Sequence, residues 1–136
     1  MADPDRRGAR VTPELSPGAP MRDYQRYIAE LEAYHGWERV SLVETCFLMG
    51  EEVGELFKAV RRVRRLYEAV IETDDAAPAP VEQAARVAEV GDELVDVLNY
   101  LLAVANRLDI DVEQAFVAKN TKNLARTWKS DESAQG

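Results

Sequence analysis

Residues 41–72 read SLVETCFLMGEEVGELFKAVRRVRRLYEAVIE, and the spacing inside this stretch decides the fold. It opens on Ser41-Leu42-Val43-Glu44, a capping box in which the serine hydroxyl and the glutamate carboxylate satisfy free backbone donors of a first helical turn. A wheel at ~100° per residue gathers Leu48, Met49, Leu56, Ala59, Val60, Val63, Leu66 and Val70 into one apolar stripe. The pattern predicts a helix from Ser41 to about Glu72. Glu52 falls in the middle of the stripe, Glu55 lies on its flank, and Glu51 points off to the side. A carboxylate facing a core is costly unless it is paired or bound to a metal. Glu52 and Glu55 are therefore candidates for chemistry rather than for solvation.

Helical spacing continues on both sides of this stretch. Upstream, Tyr24, Tyr27, Ile28, Leu31 and Tyr34 predict a first helix from Met21, with Gly36 as its stop. Downstream, TDDAAPAP is a linker by composition, and a third helix is expected over roughly Val81 to Leu108. Asp111, with Gln114 three residues on, caps a fourth helix running to about Thr127. There is no alternating strand pattern, hairpin signal or internal repeat. The expected fold class is all-α, a four-helix, bundle-like domain over residues 21–128. Residues 1–20, rich in Pro, Gly, Arg and Asp, read as a flexible arm, and residues 129–136 as a disordered tail.

Composition narrows the function. The chain has 136 residues, 46% of them hydrophobic, and a formal net charge of -8. A nucleic-acid binder would carry a basic stripe, so none is expected as a partner. Free phosphates would be repelled unless a bound cation reversed the local field. The single cysteine, Cys46, rules out an internal disulfide framework and reads as a small buried hydrophobe. No apolar run approaches the roughly 18 residues of a membrane span, and residues 1–20 hold no hydrophobic signal core. The reading is a soluble, cytoplasmic protein without a membrane partner.

The third helix supplies a second acid pair, Glu93 and Asp96, in Gly91-Asp92-Glu93-Leu94-Val95-Asp96-Val97. Residues three apart project from the same side of a helix, so Glu52 and Glu55 converge, as do Glu93 and Asp96. On this helix Val87, Val90, Leu94, Val97, Leu98, Leu101 and Leu108 cover one broad side. Glu89, Asp92, Glu93, Asp96, Asn99 and Arg107 cover the other, a stripe that taken alone also reads as the wet face of an amphipathic helix. Four carboxylates in one dry site repel one another unless they surround hard divalent cations. Oxygen-only ligands suit Mg²⁺ or Mn²⁺, and Mg²⁺ is typically completed by water and substrate phosphates.

These strings resemble the MazG-like, all-α nucleoside triphosphate pyrophosphohydrolases, which carry E-x-x-E on one helix and E-x-x-D on the next. Here they read Glu52-Val53-Gly54-Glu55 and Glu93-Leu94-Val95-Asp96. The resemblance covers roughly residues 21 to 128 and includes the Leu-Asp-Ile-Asp turn and the Lys-Asn helix that follow. The stretch between Glu55 and Glu93 is longer than is common in the family, an excess that fits a long second helix plus the linker. The resemblance implies a Mg²⁺-dependent enzyme that cuts a nucleoside triphosphate to the monophosphate and pyrophosphate, in house-cleaning or in control of nucleotide pools. It also implies a homodimer or dimer of dimers in which helices of two chains build each site. The acids Glu52, Glu55, Glu93 and Asp96 are then both metal ligands and catalytic residues.

Phosphate needs donors. Lys119, Asn123 and Arg126 share one face of the fourth helix, and the family's pattern has Lys and Asn here, which selects Lys119 and Asn123. Asn99 and Tyr100 border the acidic stripe, within reach of phosphate or sugar. Trp37, beside His35, is placed to stack on a base or to anchor a core or interface.

Three rivals were weighed. A Nudix-type hydrolase would want Arg-Glu where Phe47-Leu48 stands, and a mixed α/β pattern. A di-iron bundle would use Glu32-Ala33-Tyr34-His35 but needs two such strings, and the chain has one histidine. The alternative of a different class is a non-catalytic helical oligomerisation or regulatory protein, on which metal would have no effect.

Overall fold

The computed structural model describes residues 11–64 and 80–126, and within them every regular element is helical. These are α1 (Met21–His35), a 3₁₀ turn (Trp37–Arg39), α2 (Leu42–Arg64), α3 (Pro80–Arg107) and α4 (Val112–Ala125). The expected all-α, four-helix class holds. The expected continuation of the second helix beyond residue 64, residues 1–10 of the expected arm, most of the linker, residues 127–128 and the 129–136 tail lie outside the described residues.

Each boundary has a local cause. Gly36 ends α1 in the left-handed conformation, φ 78°, and its N–H turns back to the Ala33 carbonyl at 3.3 Å. The capping box at Ser41 forms reciprocally. The Glu44 N–H donates to the Ser41 hydroxyl at 3.2 Å, and the Ser41 N–H donates to the Glu44 carboxylate at 3.2 Å. Pro80 opens α3 one residue before the expected start, where its missing N–H costs nothing. The Asp111 carboxylate accepts from the Gln114 N–H at 2.9 Å and starts α4.

The core lies where α1 crosses the C-terminal half of α3. Ile28, Leu102 and Ala103 are buried there, with Tyr24, Tyr27, Leu31 and Val112 packed around them. Gln25 locks the corner. Its amide donates to Asn106 at 3.2 Å and to the Ile110 carbonyl at 2.8 Å, its carbonyl oxygen accepts from the Val112 N–H, and Asn106 donates back to the Gln25 main chain. Within the turn from α3 to α4, Asp109 takes a positive φ of 52°, a conformation aspartate tolerates better than most residues.

The most extensive packing is between α2 and α3. They run antiparallel, since Arg62 near the end of α2 meets Glu89 near the start of α3 at 3.3 Å, while Arg107 at the end of α3 reaches Val40, just before α2. Two expectations are corrected here. Cys46 is exposed rather than buried. The buried position of that turn is Thr45, whose hydroxyl donates to the Ser41 carbonyl at 2.9 Å. On α3 the leucine-rich side does not form the core. Leu94, Leu98 and Leu101 are 53%, 38% and 49% exposed, whereas Glu93, Asn99, Tyr100 and Arg107 of or beside the polar stripe are half-buried. Asp96, Asn99, Tyr100 and Arg107 line a cleft toward α1 and α2, while Leu94 and Leu101 face outward and Val90 and Val97 are half-buried.

Candidate active site

Antiparallel packing brings Glu52 of α2 level with the second acid pair on α3. Carboxylate oxygens of Glu52, Glu93 and Asp96 lie within 4.8 Å of one another, with Glu52 and Glu93 half-buried and Asp96 exposed. Glu55, one turn on from Glu52, is not in this cluster. Its carboxylate sits 4.0 Å from the Lys58 ammonium, and both side chains are more than half exposed or nearly so.

Electrostatics single out Glu52 within the cluster. Burial raises the Glu52 pKa above the ordinary carboxylate value, and the charges of Asp96, Glu93, Glu55 and Glu51 raise it further, in that order. Burial likewise raises Tyr100, followed by the charges of Glu52, Asp96 and Glu51, so its phenol stays a hydrogen-bond donor. Three carboxylates with no nitrogen or sulfur neighbour form a donor set that fits a hard divalent cation.

Glu52 and Asp96 also line a cavity of about 470 Å³, within the size range of small-molecule sites. Asn99 and Tyr100 follow along the same wall, and the cavity continues past Ala103 to Arg107, Glu32 and Trp37, between the apolar side chains of Ile28, Leu31 and Leu48. Arg107 lies about three helical turns beyond Asp96, roughly 16 Å along α3. One end of the cavity is therefore acidic and the other is walled by an indole. Trp37 is 51% exposed and stacks on His35, ring centroids 4.2 Å apart and planes at 18°. Tyr34 meets the other side of this group edge-on, 5.1 Å from His35.

The structure thus brings Glu52, Asp96, Asn99, Tyr100 and Trp37 to the lining of one cavity, with Glu93 beside Glu52 and Asp96 but not in the lining. Lys119 and Asn123 are elsewhere: both are exposed on α4, which packs against α1, and neither lines the cavity. Sequence reasoning missed Glu32 and Arg107 as cavity residues. A signal for Arg107 was present, since Asp96, Tyr100, Ala103 and Arg107 recur at helical spacing and so share a face. Glu32 had none beyond the E-x-x-H string, whose members here serve other partners: Glu32 pairs with Arg107 and His35 stacks on Trp37.

No family model matches the chain. Among curated proteins it is similar to dCTP pyrophosphatase 1 of Mus musculus, 33% identical over 113 residues that make up 82% of this chain and 61% of that protein. The dCTP pyrophosphatase 1 of Rattus norvegicus is 32% identical over the same shares of each chain. The chain spans about 61% of the length of these relatives.

Proposed function

We propose that this chain is a Mg²⁺-dependent nucleoside triphosphate pyrophosphohydrolase of the MazG-like kind, cutting a triphosphate to the monophosphate and pyrophosphate. The observation that carries the reading is the meeting of Glu52, Glu93 and Asp96, two of which, Glu52 and Asp96, line a cavity that Trp37 also lines. The relatives named dCTP pyrophosphatase 1 support it and make dCTP the first substrate to try.

Glu52, Glu93 and Asp96, joined by Glu55, would hold the cation, Mg²⁺ or Mn²⁺. Glu55 reaches the site by leaving Lys58, an exposed pair of the sort worth little. When bound, Mg²⁺ neutralises phosphate oxygens and lowers the pKa of the attacking water. One of the carboxylates takes the proton from that water as it attacks phosphorus, and the bond to the leaving pyrophosphate breaks. Tyr100 donates its hydroxyl to phosphate or sugar, with Asn99 beside it, and Trp37 stacks on the base.

The outward face of α3 fits the same reading. Leu94, Leu98 and Leu101, with Phe47 and Phe57 of α2, are large apolar side chains exposed in one chain, of the kind that an interface covers. A second copy covers it, giving a homodimer or dimer of dimers, and a neighbouring chain's α4 then brings Lys119 and Asn123 to the phosphates. Leu101→Glu is expected to shift the protein from dimer or tetramer to monomer in analytical ultracentrifugation. A wild-type protein that already sediments as a monomer would refute the assembly. No helix among the described residues is long and apolar enough to cross a membrane; the role proposed for the enzyme is house-cleaning or pool control in the cytoplasm.

The test is pyrophosphate release from each common and deoxynucleoside triphosphate, with and without Mg²⁺. Release is expected only with the metal, with dCTP among the substrates. If no triphosphate is cut in any metal, and Mg²⁺ leaves the melting temperature unchanged, a non-catalytic helical oligomerisation or regulatory module is the better account.

A further inference from the structure

Arg107 joins three parts of the chain at the far end of the cavity. Its guanidinium donates to the Glu32 carboxylate of α1 at 3.1 Å, to the Trp37 carbonyl at 3.3 Å, and to the Val40 carbonyl. The two carbonyls bracket the 3₁₀ turn Trp37–Arg39. That turn has few other ties: none of its residues is buried, it follows a glycine with open space around it, and its indole leans on an exposed histidine. The Arg107 and Glu32 side chains, by contrast, are only 20% and 15% exposed.

We propose that Arg107 is a positioning residue of the nucleotide site, tying the turn that carries Trp37 to the cavity wall so that the indole is held as a platform for the base. The inference rests on the reading of Trp37 as the stacking residue. Glu32 neutralises the guanidinium and aims it, leaving its remaining N–H groups for the two carbonyls. Arginine suits the place because its planar fork serves several acceptors in fixed directions, whereas a lysine ammonium is a single point on a flexible stem. Arg107 acts through Trp37, so its loss weakens substrate binding and spares the chemistry about three helical turns away.

The experiment compares wild type, Arg107→Lys, Trp37→Ala and the double variant by dCTP hydrolysis at saturating Mg²⁺. It also follows hydrogen exchange of the Val40 amide, which donates to the Trp37 carbonyl at 3.0 Å. Arg107→Lys is expected to raise KM about tenfold, the worth of one charge-assisted hydrogen bond, with kcat within about threefold. The Val40 amide exchanges about tenfold faster, and amides in the middle of α2 and α3 do not change. The double variant keeps the KM of Trp37→Ala within about twofold, because nothing remains to position. Glu32→Gln, a milder change that keeps the guanidinium, raises KM by less than Arg107→Lys and carries the test if the latter fails to fold. An active wild type with unchanged KM and unchanged Val40 exchange in Arg107→Lys overturns the positioning role alone, as do effects that multiply in the double variant. A wild type that cuts no triphosphate overturns the nucleotide reading and this role with it.

Discussion

Glu52→Gln is expected to abolish the proposed triphosphate hydrolysis and yet to make the metal-free protein more resistant to heat. The two effects have one cause. Glu52 is half-buried beside Asp96 and Glu93, and its folded-state pKa is raised, by burial first and by those neighbours next. A carboxyl whose pKa is higher in the folded than in the unfolded chain binds its proton more tightly when folded. Stability is therefore lost as pH rises from the ordinary carboxylate range through the raised folded value, and the full penalty remains above it. Glutamine removes that penalty and the repulsion with it. In EDTA at pH 8 the variant is expected to melt about 2–5 °C above wild type, and the gain should fade toward pH 4, where wild-type Glu52 is protonated in both states. Activity falls by more than about a hundredfold, since losing a residue one shell out from a metal already costs about 10–100-fold. A variant that melts lower than wild type at pH 8, or one that still turns over, contradicts this account of Glu52.

The same residue shows how far a sequence can be read. Glu52 stood out because it interrupts an apolar stripe, and the helix ends were legible because Ser41, Gly36 and Asp111 carry their own capping chemistry. The acids of α3 were ambiguous for a physical reason. A wheel separates two faces but does not say which is covered, and here the polar face lines the cleft while Leu94, Leu98 and Leu101 face out. Hydrophobic patterning presumes that an apolar face is buried within its own chain, and Leu94 and Leu101 do not meet that presumption. Arg107 and Glu32 are 75 positions apart in sequence, and the E-x-x-H string that holds Glu32 does not point to Arg107. Their pairing follows from the packing of α1 on α3, which no local pattern encodes. Cys46 failed for a smaller reason: neighbouring positions in one helical turn differ by about 100°, and the buried one is Thr45.

Mg²⁺ is expected to reverse the sign of the Glu52 effect. A cation that binds only the folded chain stabilises it by RT ln(1 + [L]/Kd), about 1.4 kcal/mol at ten times Kd, or roughly 5 °C for a domain of this size. Titrating Mg²⁺ into the metal-free protein should raise the melting temperature by that amount at pH 8. The rise should be smaller at pH 5, because ligating carboxylates must first lose their protons and the raised pKa of Glu52 holds its proton longer. Glu93→Gln and Asp96→Asn should remove the rise, as each takes one of three oxygens out of the 4.8 Å cluster. Glu55→Gln distinguishes a three-carboxylate site from a four-carboxylate one. Glu55 rests against Lys58, so a reduced rise means that it also serves as a ligand, and an undiminished rise removes it from the set. If Mg²⁺ and Mn²⁺ both leave the wild-type melting curve unmoved at pH 8, the acids are only a polar lining, and the reason for placing Glu52 in an apolar stripe must be sought in assembly instead of catalysis.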